Sequence, residues 1–212
     1  MRQEISGPSR KRLLQFLHLL EKHTAESSSP INSARMEQLT GWPRDTIRKD
    51  ISCLDGILGK NAGYEPNLLM SLIKKALGLD RRRKFCVVGL GRLGSAYLNS
   101  APPLLAEFEL AAGFDSNVNR VEILQSPVPL YPAYKMAEII GRFGIEIALL
   151  CVPAEEAQAA AEKCAAAGIK GIINFAPAVL SLPGEITVNN VYLTDALRSL
   201  TIQMRSFYEE SF

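Results

Sequence analysis

Scarcity is the first thing this chain shows. Its two histidines, His18 and His23, fall close to the amino terminus. Its four cysteines, Cys53, Cys86, Cys151 and Cys164, have neither CxxC nor metal-ligand spacing. Nothing here builds a zinc site or a disulfide framework, so no metal is expected. The thiols read as inert: Cys86 and Cys151 lie in apolar strand-like runs, where free cysteine behaves as a small hydrophobe. No apolar stretch approaches the roughly 20 residues of a membrane span. Met1-Arg2-Gln3-Glu4 leads into no apolar segment of a signal peptide. The expected setting is cytoplasmic, with no membrane involved.

What is present is unevenly shared. Residues 1–84 carry 16 Lys and Arg against 9 Asp and Glu, whereas residues 85–212 carry 8 against 13. A basic half joined to an acidic one suits a module that meets a polyanion followed by one that does not, although a solvated basic surface has the same signature.

The basic half reads as helices. Ser9 is placed to cap a helix whose Leu13, Phe16, Leu17 and Leu20 recur at helical spacing. Ser27-Ser28-Ser29-Pro30 breaks it, a short helix over Ser33–Thr40 follows, and Gly41-Trp42 makes a turn. Pro43 then takes the first position of a third helix. In that helix Ile47, Ile51 and Leu54 face inward, leaving Arg44, Thr46, Arg48, Lys49 and Ser52 outside. A helix–turn–helix needs this arrangement: a buried stripe holds the second helix while its outer face enters the major groove of double-stranded DNA. Arginine reads guanine there, while lysine and hydroxyls position phosphates. Gly59-Lys60-Asn61-Ala62-Gly63 suits a hairpin wing, with Lys60 facing DNA. Asn67 caps a further helix carrying Leu68, Leu69, Leu72, Ile73, Ala76 and Leu77, which Gly78 ends. Arg81-Arg82-Arg83-Lys84 reads as a charged linker.

From Phe85 strands and helices alternate, the pattern of a doubly wound parallel sheet of Rossmann-like type. Phe85-Cys86-Val87-Val88 runs into Gly89-Leu90-Gly91-Arg92-Leu93-Gly94 and then a helix-like segment, the context in which a dinucleotide fingerprint carries meaning. Gly89 permits the tight turn, Gly91 lets main-chain N–H groups approach a pyrophosphate, and Gly94 lets helix and strand pack closely. The strand Glu109–Asp115 ends in an acid 21 residues past Gly94, the place of the carboxylate that meets the adenosine ribose and favours NAD(H) over its 2′-phosphorylated form. Arg120 nearby weakens that preference. Ile145–Cys151 and Gly171–Asn174 read as further strands, with a helix from Ala154 to Ala167 between them. Val152, Pro153, Asn174 and Phe175, at strand carboxyl ends, are candidate liners of the ligand site. The last helix carries Leu193, Leu197, Leu200, Met204 and Phe207, steps of 4, 3, 4 and 3 that keep one seam on one side. It packs on its own sheet or on a second copy.

A dehydrogenase needs a proton donor or acceptor beside the hydride site. Both histidines lie elsewhere, and the Tyr131/Lys135 spacing falls in a proline-bracketed segment only 37 residues past Gly94, so it is read as coincidence. No catalytic residue is assigned.

The chain resembles the Rex family of bacterial redox-sensing transcriptional repressors over nearly its whole length. The residues that carry the likeness are Ile47–Ser52, Gly63-Tyr64, Leu77–Arg82, Gly89–Gly94, Phe114-Asp115, Val152–Glu155, Gly168–Gly171, Ile173–Pro177 and Val188–Val191. The resemblance implies a winged helix-turn-helix domain over residues 1–80, a Rossmann-like NAD(H)-binding domain over 81–191, and over 192–212 a dimerisation helix exchanged between the subunits of a homodimer. It further implies that NADH releases the protein from a palindromic operator. The sequence departs from the family at Lys60-Asn61, where Arg-Gly is typical, and at Ser100, where a tyrosine is usual. It also departs at His18 and Tyr192, where the family pairs an arginine with an aspartate. A small NAD-dependent oxidoreductase or a CoA-binding protein with an accessory basic domain remains the alternative.

Overall fold

The structure, a computed structural model, describes residues 5–26, 29–56, 63–100 and 107–209. The chain divides into two compact units, Met1–Arg81 and Arg82–Phe212.

The first unit is helical: α1 (Gly7–Glu26), α2 (Ser33–Thr40), α3 (Arg44–Ser52) and α4 (Pro66–Leu77). Its core is Leu13, Phe16, Leu17 and Leu20 of α1 against Met36, Ile47, Ile51, Leu54, Leu69 and Ile73. Trp42 sets its ring edge-on to Phe16 with centroids 5.2 Å apart. Three helix starts differ from the sequence expectation. Ser6, not Ser9, caps α1: its Oγ accepts the N–H of Ser9 at 3.3 Å. Pro43 precedes α3 rather than opening it. At α4 the carboxylate of Glu65, not the Asn67 side chain, accepts the N–H groups of Asn67 and Leu68. Leu68 and Ala76 fall outside the buried stripe of α4. Gly41 and Gly78 end α2 and α4 in the left-handed conformation as expected. Ile31 and Tyr64 exchange two main-chain hydrogen bonds of 2.9 and 2.8 Å, tying the α1–α2 loop to the approach to α4. Residues 59–62 of the expected wing, Lys60 among them, lie outside the described residues, as do Ser27 and Ser28.

The second unit is a six-stranded sheet, all parallel, in the order β3-β2-β1-β4-β5-β6. Its strands are β1 (Arg83–Val88), β2 (Phe108–Asp115), β3 (Leu130–Pro132), β4 (Ile147–Leu150), β5 (Gly171–Asn174) and β6 (Thr187–Asn190). The helices are α5 (Arg92–Ser100), α6 (Val118–Ile123), α7 (Met136–Phe143), α8 (Ala154–Ala166) and α9 (Leu193–Glu209). This is a doubly wound α/β sheet whose strand order reverses between β1 and β4, so the carboxyl ends of those two strands frame a crevice. The apolar core holds Cys86, Val88, Phe114, Ile139, Ile140, Leu150, Ala161 and Ile172 between the sheet and α7 and α8. Tyr131 lies in β3, 6.1 Å from Phe114. The last helix, α9, leaves Leu193, Leu197, Leu200 and Met204 between 46 and 75% exposed. The Phe207 side chain lies outside those described.

Candidate functional site

The glycine turn after β1 is built by contacts that only hydrogen side chains satisfy. Gly89 has φ +89°, and a Cβ there would stand 2.7 Å from the carbonyl oxygen of Cys151. A Cβ on Gly94 would stand 1.9 Å from the carbonyl oxygen of Gly89, so α5 and the turn touch at backbone distance. At Gly91 the same construction meets nothing within 4 Å, leaving open space over the start of α5. A helix start offers free N–H groups and a positive dipole end to an anion. The first turn of α5 carries no acid, whereas that of α8 carries Glu155 and Glu156. Of the two helix starts at the crevice, α5 therefore suits a diphosphate and α8 repels one.

A cleft of about 790 Å³ opens at these strand ends. Gly89, Gly91, Leu93, Asp115, Val152, Pro153 and Phe175, all picked out from the sequence, line it. Four others do not. Leu90 is buried against Val87 and Leu98, Arg92 is exposed outside the lining, and Gly94 serves the turn from behind. Asn174 is fully buried and belongs to the interior: its amide donates to the Ala178 carbonyl at 2.9 Å and its Oδ1 accepts the Ala176 N–H. Burial of an amide requires such partners, and with them in place it has no free edge for a ligand.

Asp115 is only 3% exposed and fully engaged. Oδ2 accepts the Leu90 N–H at 2.6 Å and the Arg120 guanidinium at 2.9 Å, and Oδ1 accepts the Asn117 N–H at 2.8 Å. The carboxylate thus fastens the glycine turn to the end of β2. Ser116, Asn117, Arg120 and Lys163 join the cleft lining without having been singled out as liners. The signal for Arg120 was its spacing: Asn117 caps α6, and the first turn of that short helix turns Arg120 back over Asp115. Cys151 borders the cleft half-buried, and burial pushes its thiol up to about 12, which keeps it protonated and unreactive near neutrality. Neither Tyr131 nor Lys135 lines the cleft. Among the described residues no group of three His, Cys, Asp or Glu is placed to hold a metal.

In the first unit, α3 turns Ile47 and Ile51 inward and leaves Arg44, Arg48, Lys49 and Ser52 exposed, with Thr46 half-buried. Asp50 on the inner side is 3% exposed and takes both nitrogens of the Arg12 fork at 2.6 and 2.9 Å. Those hydrogen bonds raise the Arg12 pKa above its ordinary value. On the outer face Arg44 pairs with Glu37 at 2.6 Å, and Arg48 lies 3.7 Å from Asp45. The Ser52 hydroxyl donates to the Lys49 carbonyl at 2.7 Å. Exposed pairs of this kind contribute little.

Residues 80–178 match the CoA binding domain family model. The chain is 39% identical over 191 residues to the redox-sensing transcriptional repressor Rex of Thermus thermophilus, covering 90% of this chain and 88% of that protein. Among solved structures it is similar to RSP in complex with β-NAD+ and operator DNA, with a TM-score of 0.87 and 27% identity, covering 99% of this chain and 96% of that one. It is similar as well to RSP in complex with β-NADH, with a TM-score of 0.83 and 27% identity, covering 99% and 100%.

Proposed function

This chain belongs to the Rex family of redox-sensing transcriptional repressors, and from that premise we propose how its residues divide the work. Residues 1–80 bind a palindromic operator, 81–191 bind NAD(H), and 192–212 join two copies into a homodimer in the cytoplasm. The repressor senses the NADH/NAD+ ratio, and NADH releases it from DNA. The observation that carries the assignment is the open space over Gly91 at an acid-free helix start, flanked by Asp115.

The diphosphate lies over Gly91 and the first turn of α5, held by main-chain N–H groups. The adenosine ribose faces Asp115 and Arg120. The nicotinamide end extends toward Val152, Pro153 and Phe175. On the other unit, α3 enters the major groove with Arg44, Thr46, Arg48, Lys49 and Ser52, and Lys60, in the segment between α3 and α4, contacts DNA as well. The Arg12–Asp50 clasp holds α3 at a fixed angle, so its outward side chains meet the groove together. The exposed leucine seam of α9 is buried against a second copy, which pairs two α3 helices for a two-fold operator. Release then follows if NADH binds one arrangement of the dimer better than the other, a population shift set by that difference in affinity.

Fluorescence anisotropy of an operator-like palindrome, titrated with NADH, NAD+, NADPH and CoA at two salt concentrations, tests the reading. The expected result is salt-dependent DNA binding that NADH weakens and NAD+ permits. DNA binding that ignores salt, or release by CoA in place of NADH, overturns it.

A further inference from the structure

One ion pair of the first unit joins two helices without belonging to the core. Arg44 is the first residue of α3, and its Nε donates at 2.6 Å to Oε2 of Glu37, seven residues back in the last turn of α2. Between them Gly41 turns the chain at φ +72°, and Trp42 packs edge-on against Phe16 of the core. The carboxylate therefore approaches the guanidinium from a direction that the turn has fixed. Both side chains keep much of their surface open, 37% for Glu37 and 52% for Arg44, so the pair adds little to stability. What it sets is an orientation.

A guanidinium offers donors on its flank, at Nε, and across its end, at the two Nη atoms. The bond to Glu37 occupies the flank, and among the described residues Arg44 makes no second hydrogen bond. The end is left as a fork of N–H groups, the shape that meets O6 and N7 of a guanine. The pairing also offsets the charge. A neutralised arginine draws a phosphate weakly but keeps its directional donors, whereas an ammonium such as that of exposed Lys49 is a point charge with little direction. Arg48, 3.7 Å from Asp45, is held less closely. Arg44 also stands where bases are reached, because the N-terminal residues of a helix lying in the major groove are the ones that contact base edges.

We infer that Glu37 is a positioning residue for sequence recognition, which holds Arg44 end-on to one guanine in each half of the operator. Glu37 itself touches no DNA in this arrangement. It removes the alternative in which Arg44 swings to a phosphate. The inference rests on the DNA-binding reading of α3 above and adds to it a particular reader of sequence and the residue that aims it.

The test uses the full-length protein without NADH and its variants Arg44→Ala, Glu37→Ala and Glu37→Gln. Duplexes with a randomised core are selected on each protein and sequenced. Anisotropy then compares the selected palindrome with one in which the guanine that depends on Arg44 is replaced by adenine, across salt concentrations. The unsubstituted protein should prefer guanine there by about 5- to 140-fold, and Arg44→Ala should reduce the preference below about twofold while the salt dependence changes by less than about half an ion. Glu37→Ala should reduce the same preference below about threefold, with binding to unselected duplex no weaker, which doubles as the check that the variant is folded. Glu37→Gln removes the same charge but keeps an oxygen that accepts the Nε–H, so its preference should stay within about twofold of the unsubstituted protein. A preference that survives in Glu37→Ala, or that falls equally in Glu37→Gln, overturns the positioning role. Uniform weakening across sequences in Arg44→Ala, with a salt dependence lower by about one ion, assigns Arg44 to a phosphate and overturns it too. An unsubstituted protein that selects no sequence overturns the repressor reading and this inference with it, a result distinct from a selective protein whose selection ignores Glu37.

Discussion

Each unit buries one aspartate against an arginine, and the two pairs are made differently. Asp50, at 3% exposure, gives both oxygens to the single guanidinium of Arg12, 38 residues away on another helix. Asp115, equally buried, divides its oxygens between two main-chain N–H groups and Arg120, five residues on. The first pair is a fork-to-carboxylate clasp between helices, closed at both ends, and it fixes an angle. The second holds a loop through its backbone, and its arginine borders the cleft, so that one of its three bonds is free to exchange for a ligand. A unit that presents a rigid face to a large polyanion needs the first kind. A unit that admits and releases a small molecule needs the second.

The largest effect is expected at the turn itself. Gly94→Ala places a methyl group against the Gly89 carbonyl and should lower NADH affinity by more than about a hundredfold, roughly 3 kcal/mol. NADH titration reads this, and ligand-free operator binding should be retained; its loss would show that the two units do not work separately. Next come the two acids. Asp50→Ala leaves Arg12 without its carboxylate and should cost about 3 kcal/mol in denaturant unfolding, with operator affinity falling and NADH affinity unchanged. Asp115→Ala frees two main-chain N–H groups and should cost about 2 kcal/mol with the opposite pattern, NADH affinity falling and operator affinity unchanged. Crossed patterns would break the comparison.

Smaller again is Arg48→Ala, expected to weaken operator binding by about 1–3 kcal/mol if it reads a base and to flatten the salt dependence by about one ion if it meets a phosphate. Anisotropy against salt concentration separates the two. Absent near neutrality is an effect confined to alkaline solution. Burial raises the Cys86 thiol well above its ordinary value and pushes Cys164 up to about 12. The folded unit thus holds these protons more tightly than the unfolded chain does. Stability is complete below about pH 9 and lost as pH climbs toward 12, at up to about 1.4 kcal/mol per pH unit for each thiol. Melts of the protein and of Cys164→Ala at pH 8 and 10.5 should show the variant losing less.

Where a residue's role rests on a backbone property, the chain could be read directly. Gly89 and Gly94 shape the turn as their spacing announced, and the inward set Ile47, Ile51 and Leu54 follows from a period of 3.6 alone. Roles that depend on distant partners were not readable. Asn174 looks like a cleft liner until Asn190 and Tyr192, 16 and 18 residues on, come to meet it. Glu65 displaces Asn67 as a cap because Pro66 opens the helix, which leaves position 65 as the one before it. The three-residue strand β3 escaped notice because its prolines speak against a strand, and only pairing with Gly113–Asp115 makes it one.

Those prolines have a wider consequence. A parallel sheet ends in two open margins, and an open margin invites a neighbouring chain to continue the ladder and begin an insoluble stack. Here one margin is Leu130–Pro132, with Pro127 and Pro129 just ahead of it, three prolines that bring no N–H to offer. The opposite margin is Thr187–Asn190, four residues long and mostly polar. Neither gives a stranger a rail to run along. Continuation of the ladder is thus discouraged at both margins, and the exposed apolar seam of Leu193, Leu197, Leu200 and Met204 lies apart from them on α9.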